Sequence, residues 1–185
     1  MAMPALERTP TRQGGPAMEL MEVVRRRRSI RKYRPDPVPQ ARIDQVLEAA
    51  RLAPSWANGQ CWTFVVVTDP KVKHALAQAG NEWIEAAPVL ITACADPRAS
   101  GLKGDQTYYL LDIGIAMEHL VLAAAEQELG ACWIGWFDEK KARKALGVPE
   151  AIRVVAVTPL GYPDEEPEAR PRKSLAEIIR RDQWE

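Results

Sequence analysis

The chain has 185 residues, with 25 lysines and arginines against 25 aspartates and glutamates, and is long enough for one domain that buries around 70% of its unfolded surface. Zero net charge and a pI near 6.8 give the molecule as a whole no bulk attraction to nucleic acid or an anionic membrane, so any electrostatic function must be local. Three cysteines, Cys61, Cys94 and Cys132, without CxxC spacing imply free thiols in a reducing compartment, by default the cytoplasm, and the separated His74 and His119 give a zinc site little support.

Residues 1–18 hold prolines and a Gly-Gly pair but no periodicity, and are expected to form a disordered arm ahead of a single domain over 19–185. They lack a secretory apolar core, and no later stretch reaches the 18 or so uncharged apolar residues of a membrane span. An amphipathic helical turn over 19–24 runs into RRRRSIRKYR, residues 25–34, which packs six arginines and a lysine into ten positions. The prolines at 35 and 37 force the chain out of helix just beyond it. A solvated basic face is the plainest account of such a run. Guanidinium groups fixed where helix gives way to extended chain can instead converge on one phosphate, and Ser29 can add a hydroxyl.

Pro39 suits a first helical position, and Ile43, Val46, Leu47 and Ala50 form one apolar stripe behind it. Residues 54–60, PSWANGQ, are turn chemistry, and WTFVVVT over 62–68 is a strand. Asp69-Pro70 caps a helix that points Val72, Ala75, Leu76 and Ala79 inward and stops at Gly80; a short helix follows. PVLITACA, 88–95, is apolar without alternation, as in a strand covered on both faces, and 96–104 is a polar loop.

Residues 106–129 form the longest helical segment, apolar nearly all round, and one small core can hardly surround 24 such residues. Part of that helix is therefore expected to pack against a second subunit, in a homodimer. A strand over 131–137 with Gly135 follows, then a charged helix from Asp138 to Gly147. The next strand, 154–160, carries a proline that implies an edge or a bulge. After an acidic, proline-rich loop, Ser174 and Glu177 have capping-box spacing for a last helix to about Arg181. Helices and strands mix without regular alternation, which predicts an α+β fold with a central mixed sheet of about four or five strands flanked by helices.

No GxGxxG after a strand, Walker sequence, GxSxG or HExxH occurs, so these motifs lend no support to a Rossmann dehydrogenase or to the corresponding hydrolases. Four stretches remain in order: RRSIRKYRPDPVP, APSWANGQCWTFVVV, DIGIAMEHLVLAAAEQELGACWIG and LGYPDEEPEARPRKSLAEII. Together they resemble the FMN-dependent nitroreductase family over residues 19 to about 179. The resemblance implies an α+β homodimer with two FMN molecules at the subunit interface. It places Arg27, Arg28, Ser29 and Arg31 on FMN, with the phosphate near the start of the run and the ring near Arg31. Asn58 would bond the polar edge of the ring, with Ser55 and Gln60 in the same motif. Ile134 and Gly135 would lie beside the ring, the Gly135 amide facing the nitrogen that accepts hydride, while Arg170 and Arg172 would return to the phosphate. Many members carry proline where this chain has Cys61.

The implied activity is two-step electron transfer from NADH or NADPH through FMN to a small electron-poor acceptor such as a nitroaromatic, a quinone or a flavin. No side chain need act as acid or base, because the cofactor carries the chemistry. Relatives with similar motifs dehalogenate iodotyrosine or dismantle FMN itself. Two other classes stay open on sequence: a flavin-binding sensor without turnover, and a nucleic-acid binder using residues 25–34, which would show steeply salt-dependent binding. Taken singly, Ser55, Asn58 and Gly135 also fit purely structural roles in turns and packing. The tyrosines at 108 and 109 and the six tryptophans are more often core or interface than substrate platforms.

Overall fold

The computed structural model describes residues 18–184. The expected N-terminal arm therefore lies, apart from Met18, outside the described residues. The centre is β2 (Val89–Ala95), in which every residue is buried. It pairs antiparallel with β1 (Trp62–Val67) on one side and with β6 (Arg153–Gly161) on the other, and β5 (Gly130–Ala131) completes the order β1-β2-β6-β5. The expectation of a mixed sheet is thus corrected. The named strands pair only antiparallel, and the sole parallel contact among the described residues is an isolated bridge between Ser29 and Ala131.

Alternate residues of β2 serve two cores, as strand geometry requires. Val89, Ile91, Ala93 and Ala95 pack with Ile43, Val46 and Ala50 of α2 (Gln40–Arg51) and with Ile113, Met117 and Leu120 of α4 (Tyr108–Glu126). Leu90 and Cys94 face the opposite layer, with Leu76 and Ala77 of α3 (Pro70–Ala77) and Ala142 of α5 (Glu139–Leu146). Helices thus cover both faces of β2, as its unbroken apolar sequence predicts.

Cap chemistry sets several of these boundaries. The Asp69 carboxylate accepts the Lys71 and Val72 amides at 2.9 and 3.0 Å, and Asp138 accepts Lys141 N–H at 3.1 Å before α5 ends at Gly147. Pro39 is the N-cap of α2 rather than its first residue. In α3 the buried residues are Leu76, as expected, and Ala77, with Ala75 exposed. Ser174 and Glu177 form the expected capping box, yet α6 (Leu175–Ile178) is short and exposed.

Two expectations fail for a shared reason. Residues 131–137 do not form a continuous strand: β5 stops at Ala131, and pairing resumes only where Ile134 and Val157 exchange both backbone bonds at 3.0 Å. Ala131 faces Leu160 and Ile134 faces Val157, so one register runs through the gap and sets Pro159 opposite Cys132. Val157 turns its amide towards Ile134, and two residues further on Pro159 has no amide to turn. Pro159 is therefore neither at an edge nor in a bulge; it is fully buried, and it interrupts the inner ladder. The bulge lies elsewhere, where Val155 is the extra residue opposite Ala93 and Cys94.

The long helix α4 is shorter than the 106–129 expected of it. Gln106 and Thr107 form β4, which pairs with β3 (Leu102–Lys103) in a small hairpin. By length and composition α4 matches a membrane span, but Ile113, Ala116, Met117 and Leu120 are 0% exposed within the core beneath the sheet. Its outer side carries Leu110, Leu111 and Ile115, which are 50, 57 and 39% exposed. Leu111 and Ile115, four residues apart, share one stripe of the helix, and Leu110 lies about 100° round the axis from Leu111.

Candidate functional site

The basic run begins where α1 (Leu20–Arg26) ends, with the Arg27 amide bonded to Val23 O at 2.9 Å. Beyond it the chain is extended and fastened on both sides. Ile30 N–H donates to Ala131 O at 3.0 Å and Arg34 N–H to Tyr162 O at 2.9 Å, while the buried Tyr33 hydroxyl donates to Ile30 O. Burial pushes the Tyr33 phenol well above its ordinary range. The acidic loop returns beneath this stretch: Glu165 accepts the Arg31 and Lys32 amides, and Asp164 N–H donates to Lys32 O.

These fastenings close a cavity of about 500 Å³ lined by Arg25, Arg27, Arg28, Ser29 and Arg31 from one segment and by Arg170 and Arg172 from the other. Six arginines face it against one lining carboxylate, Glu168. The Arg28 guanidinium is turned to Arg25 O and Arg27 O, and that of Arg172 to Arg170 O and Pro171 O. Among the described residues no carboxylate pairs with the side chains of Arg27, Arg31, Arg170 or Arg172. Arg27 and Arg28 also border a second cavity of about 580 Å³ that passes Val121, Ala125 and Leu129. The second cavity mixes these apolar residues with Glu128, Asp164, Glu165 and Glu166, whereas the strongly cationic first recess suits the phosphate end of a ligand.

Ser55, Asn58 and Gln60 line neither cavity. They lie in and around a 3₁₀ turn over Trp56–Asn58, and Ala57, Asn58 and Gln60 have φ of 46, 58 and 47°. Left-handed backbone at a non-glycine residue costs roughly 1–3 kcal/mol, persists only where its surroundings impose it, and concentrates at functional sites. Here Ser55 Oγ accepts Gln60 N–H at 2.9 Å, and Trp56 N–H donates to the Asp112 carboxylate at 2.8 Å. The same carboxylate accepts Ser100 Oγ at 2.7 Å and Cys61 Sγ at 3.6 Å. Burial first, then the Asp112 charge, pushes the Cys61 thiol up to about 11, which leaves it neutral at physiological pH. Asn58 and Gln60 are exposed, with the Gln60 amide turned to Asn58 O at 3.3 Å.

Ile134 and Gly135 occupy a third place. Ile134 is buried, and Gly135 borders a recess of about 210 Å³ with Tyr109, Phe137 and Arg153. Charge there is neutralised internally. Arg153 bonds Glu139 at 2.7 and 2.8 Å, which holds the Glu139 carboxyl below its usual range. Trp133 and Trp136 on either side are 45 and 91% exposed, and Trp56 is 48% exposed, so these indoles are not core. No grouping of three His, Cys, Asp or Glu suited to a metal occurs among the described residues.

The structure thus gathers Arg27, Arg28, Ser29, Arg31, Arg170 and Arg172 around one cavity and leaves the other two motifs outside it. Sequence reasoning passed over Asp112, Ser100 and Glu165. A carboxylate within the apolar first half of the long helix was the available signal for Asp112.

The family model described as Nitroreductase family matches residues 24–80 and 72–162. A solved structure of a nitroreductase family protein from Clostridium novyi is 38% identical, with a TM-score of 0.77 over 83% of this chain and 89% of that one. A protein named NADH dehydrogenase from Thermus thermophilus is 32% identical over 89% of this chain and 96% of its own length. The NADPH:FMN oxidoreductase of Vibrio harveyi, solved with NAD+, is 28% identical, with a TM-score of 0.81 over 90% of this chain and 78% of that one.

Proposed function

This chain belongs to the nitroreductase family, and on that premise we propose that it is an NAD(P)H-dependent flavoenzyme that passes electrons through FMN to a small electron-poor acceptor. The observation that carries the reading is the cavity ringed by six arginines from two distant segments. Bound there, FMN would supply the hydride-accepting and electron-donating chemistry. Arg27, Arg170 and Arg172 would hold the phosphate, with Arg28 and Ser29 at the rim of the same recess and Arg31 towards the ring. The six arginines converge on one concave recess, whereas a nucleic-acid surface spreads its charge along a face. Three free, buried thiols fit a reducing, cytoplasmic setting.

Asn58, Gln60 and Ser55, and likewise Ile134 and Gly135, face the ring in this reading, although in one chain they stand apart from the arginines. A second copy resolves the separation. The exposed Leu110, Leu111 and Ile115 on the outer side of α4 form an apolar surface that a symmetric partner would cover, bringing the strained turn of one subunit towards the arginine cavity of the other. Light scattering at low micromolar concentration should give a homodimer, and a monodisperse monomer that still binds FMN would overturn the shared-site arrangement.

The activity itself has a direct test. Purified protein should be yellow, release FMN on denaturation, and oxidise NADH or NADPH once a quinone, nitroaromatic or free flavin is added. A yellow protein that never turns over with any of them would be a flavin-binding sensor instead. Colourless protein with steeply salt-dependent oligonucleotide binding would favour a nucleic-acid role.

A further inference from the structure

We propose that Asp112 is a positioning residue: it holds residues 55–60 in their left-handed shape and so presents the Asn58 side chain to the polar edge of the flavin. The second half of this statement rests on the flavin reading above; the first half does not.

Asp112 is 3% exposed on α4, among Ile113, Ala116 and Met117 of the core. Among the described residues no cation pairs with it, and its three partners come from two separate segments: the Trp56 amide and the Cys61 thiol from one, the Ser100 hydroxyl from the other. A buried carboxylate with only neutral donors is an expensive way to fill space beside a core, since an apolar side chain of similar volume usually serves stability as well or better. Packing therefore does not account for it. What an apolar residue could not do is accept the Trp56 N–H, which opens the turn containing the left-handed residues Ala57, Asn58 and Gln60.

The rest of the anchorage meets at the same carboxylate. A Cβ on Gly59 would lie 2.1 Å from Ala99 O, and one on Gly101 would lie 2.5 Å from the Trp56 indole, so the turn and residues 99–101 are in close contact. Ser100 stands between those two contacts and donates to Asp112. Where this chain has Cys61 in place of proline, the thiol becomes the third donor. Bonds inside the turn, from Gln60 and Asn58 back to Ser55, close it but do not fix it to the fold. Asp112 supplies that attachment, and Asn58 lies two residues beyond the amide it grips.

Titration of Asp112→Ala with FMN and with riboflavin tests the proposal. Both ligands should weaken by the same factor, roughly 10- to 150-fold, because the defect is at the ring end and a buried donor loses a charged acceptor. Asp112→Asn keeps an acceptor for the Trp56 amide and should stay within about threefold of the parent. If the turn acts through Asn58, adding Asp112→Ala to Asn58→Ala should cause no further loss, the non-additivity of a single unit. Parental riboflavin affinity in Asp112→Ala, a full additional loss in the Asn58→Ala background, or an asparagine variant as weak as the alanine would each overturn the proposal. Should the alanine variant not fold, Asp112→Leu fills the same space and carries the same comparison. If the parent binds no flavin, the functional reading fails by itself and presentation to flavin fails with it. Amide exchange at Trp56 and Gln60 then judges the turn alone: roughly 10- to 150-fold acceleration in Asp112→Ala upholds the attachment, and unchanged exchange refutes it.

Discussion

Replacing Arg27 with alanine is expected to weaken FMN roughly 10- to 150-fold while leaving riboflavin, which lacks the phosphate, bound as tightly as in the parent. The magnitude follows from the about 1.5–3 kcal/mol that a hydrogen bond to a charged group contributes. Arg27 is the best placed of the arginines for this role, since it borders both cavities and no carboxylate pairs with it among the described residues. Its backbone is fixed independently, through the Val23 carbonyl at the end of α1, so truncating the side chain need not move the bend. Arg172 lies on the other segment of the same cavity, and its alanine variant should show the same selectivity. Fluorescence titration with the two flavins decides the matter. Equal losses for FMN and riboflavin would make Arg27 a structural residue.

Arg31→Gln should lower the two-electron midpoint potential of bound FMN by roughly 20–65 mV. The substitution keeps a donor and removes a charge, so the expected loss is the differential attraction of a fixed cation for the more negative reduced ring, on the order of 1–3 kcal/mol. For a two-electron couple about 30 mV corresponds to about 1.4 kcal/mol. The geometry favours a stationary charge: Glu165 accepts the Arg31 and Lys32 amides and so fixes the backbone from which the side chain extends. Redox titration of FMN-saturated protein is the measurement. An unchanged midpoint accompanied only by weaker FMN would move Arg31 from the ring to the ribityl chain or the phosphate.

What sequence could reveal about this molecule divides by the range of the interactions involved. The unalternating run of β2, the stripe of α2 and the caps at Asp69 and Asp138 are local signals, and each element stands where its residues put it. The failures are non-local. Nothing within residues 131–137 forbids a strand; the obstacle is Pro159, which faces Cys132 only after β6 has been brought alongside. Gln106 and Thr107 read as helix until Leu102 and Lys103 are available to pair with them. In the candidate site, the clustering of Arg27 with Arg172 could be expected from the resemblance, whereas Asp112 was only one polar residue in an apolar helix. Its importance depends on Trp56, Cys61 and Ser100 converging from elsewhere.

The wall that closes the arginine cavity sets an order of events as the chain is made. Arg31 and the Glu165 that fastens it are 134 positions apart, and β6, which flanks the central strand, also lies late in the chain. A nascent chain emerging N-terminus first exposes the basic bend well before its acidic counterpart exists. The arginine recess can form only once these late segments are in place, so a cofactor bound there could not template the early steps and would act on the finished protein, stabilising it by mass action. Cellular flavin supply would then govern how long the folded enzyme survives more than whether it folds.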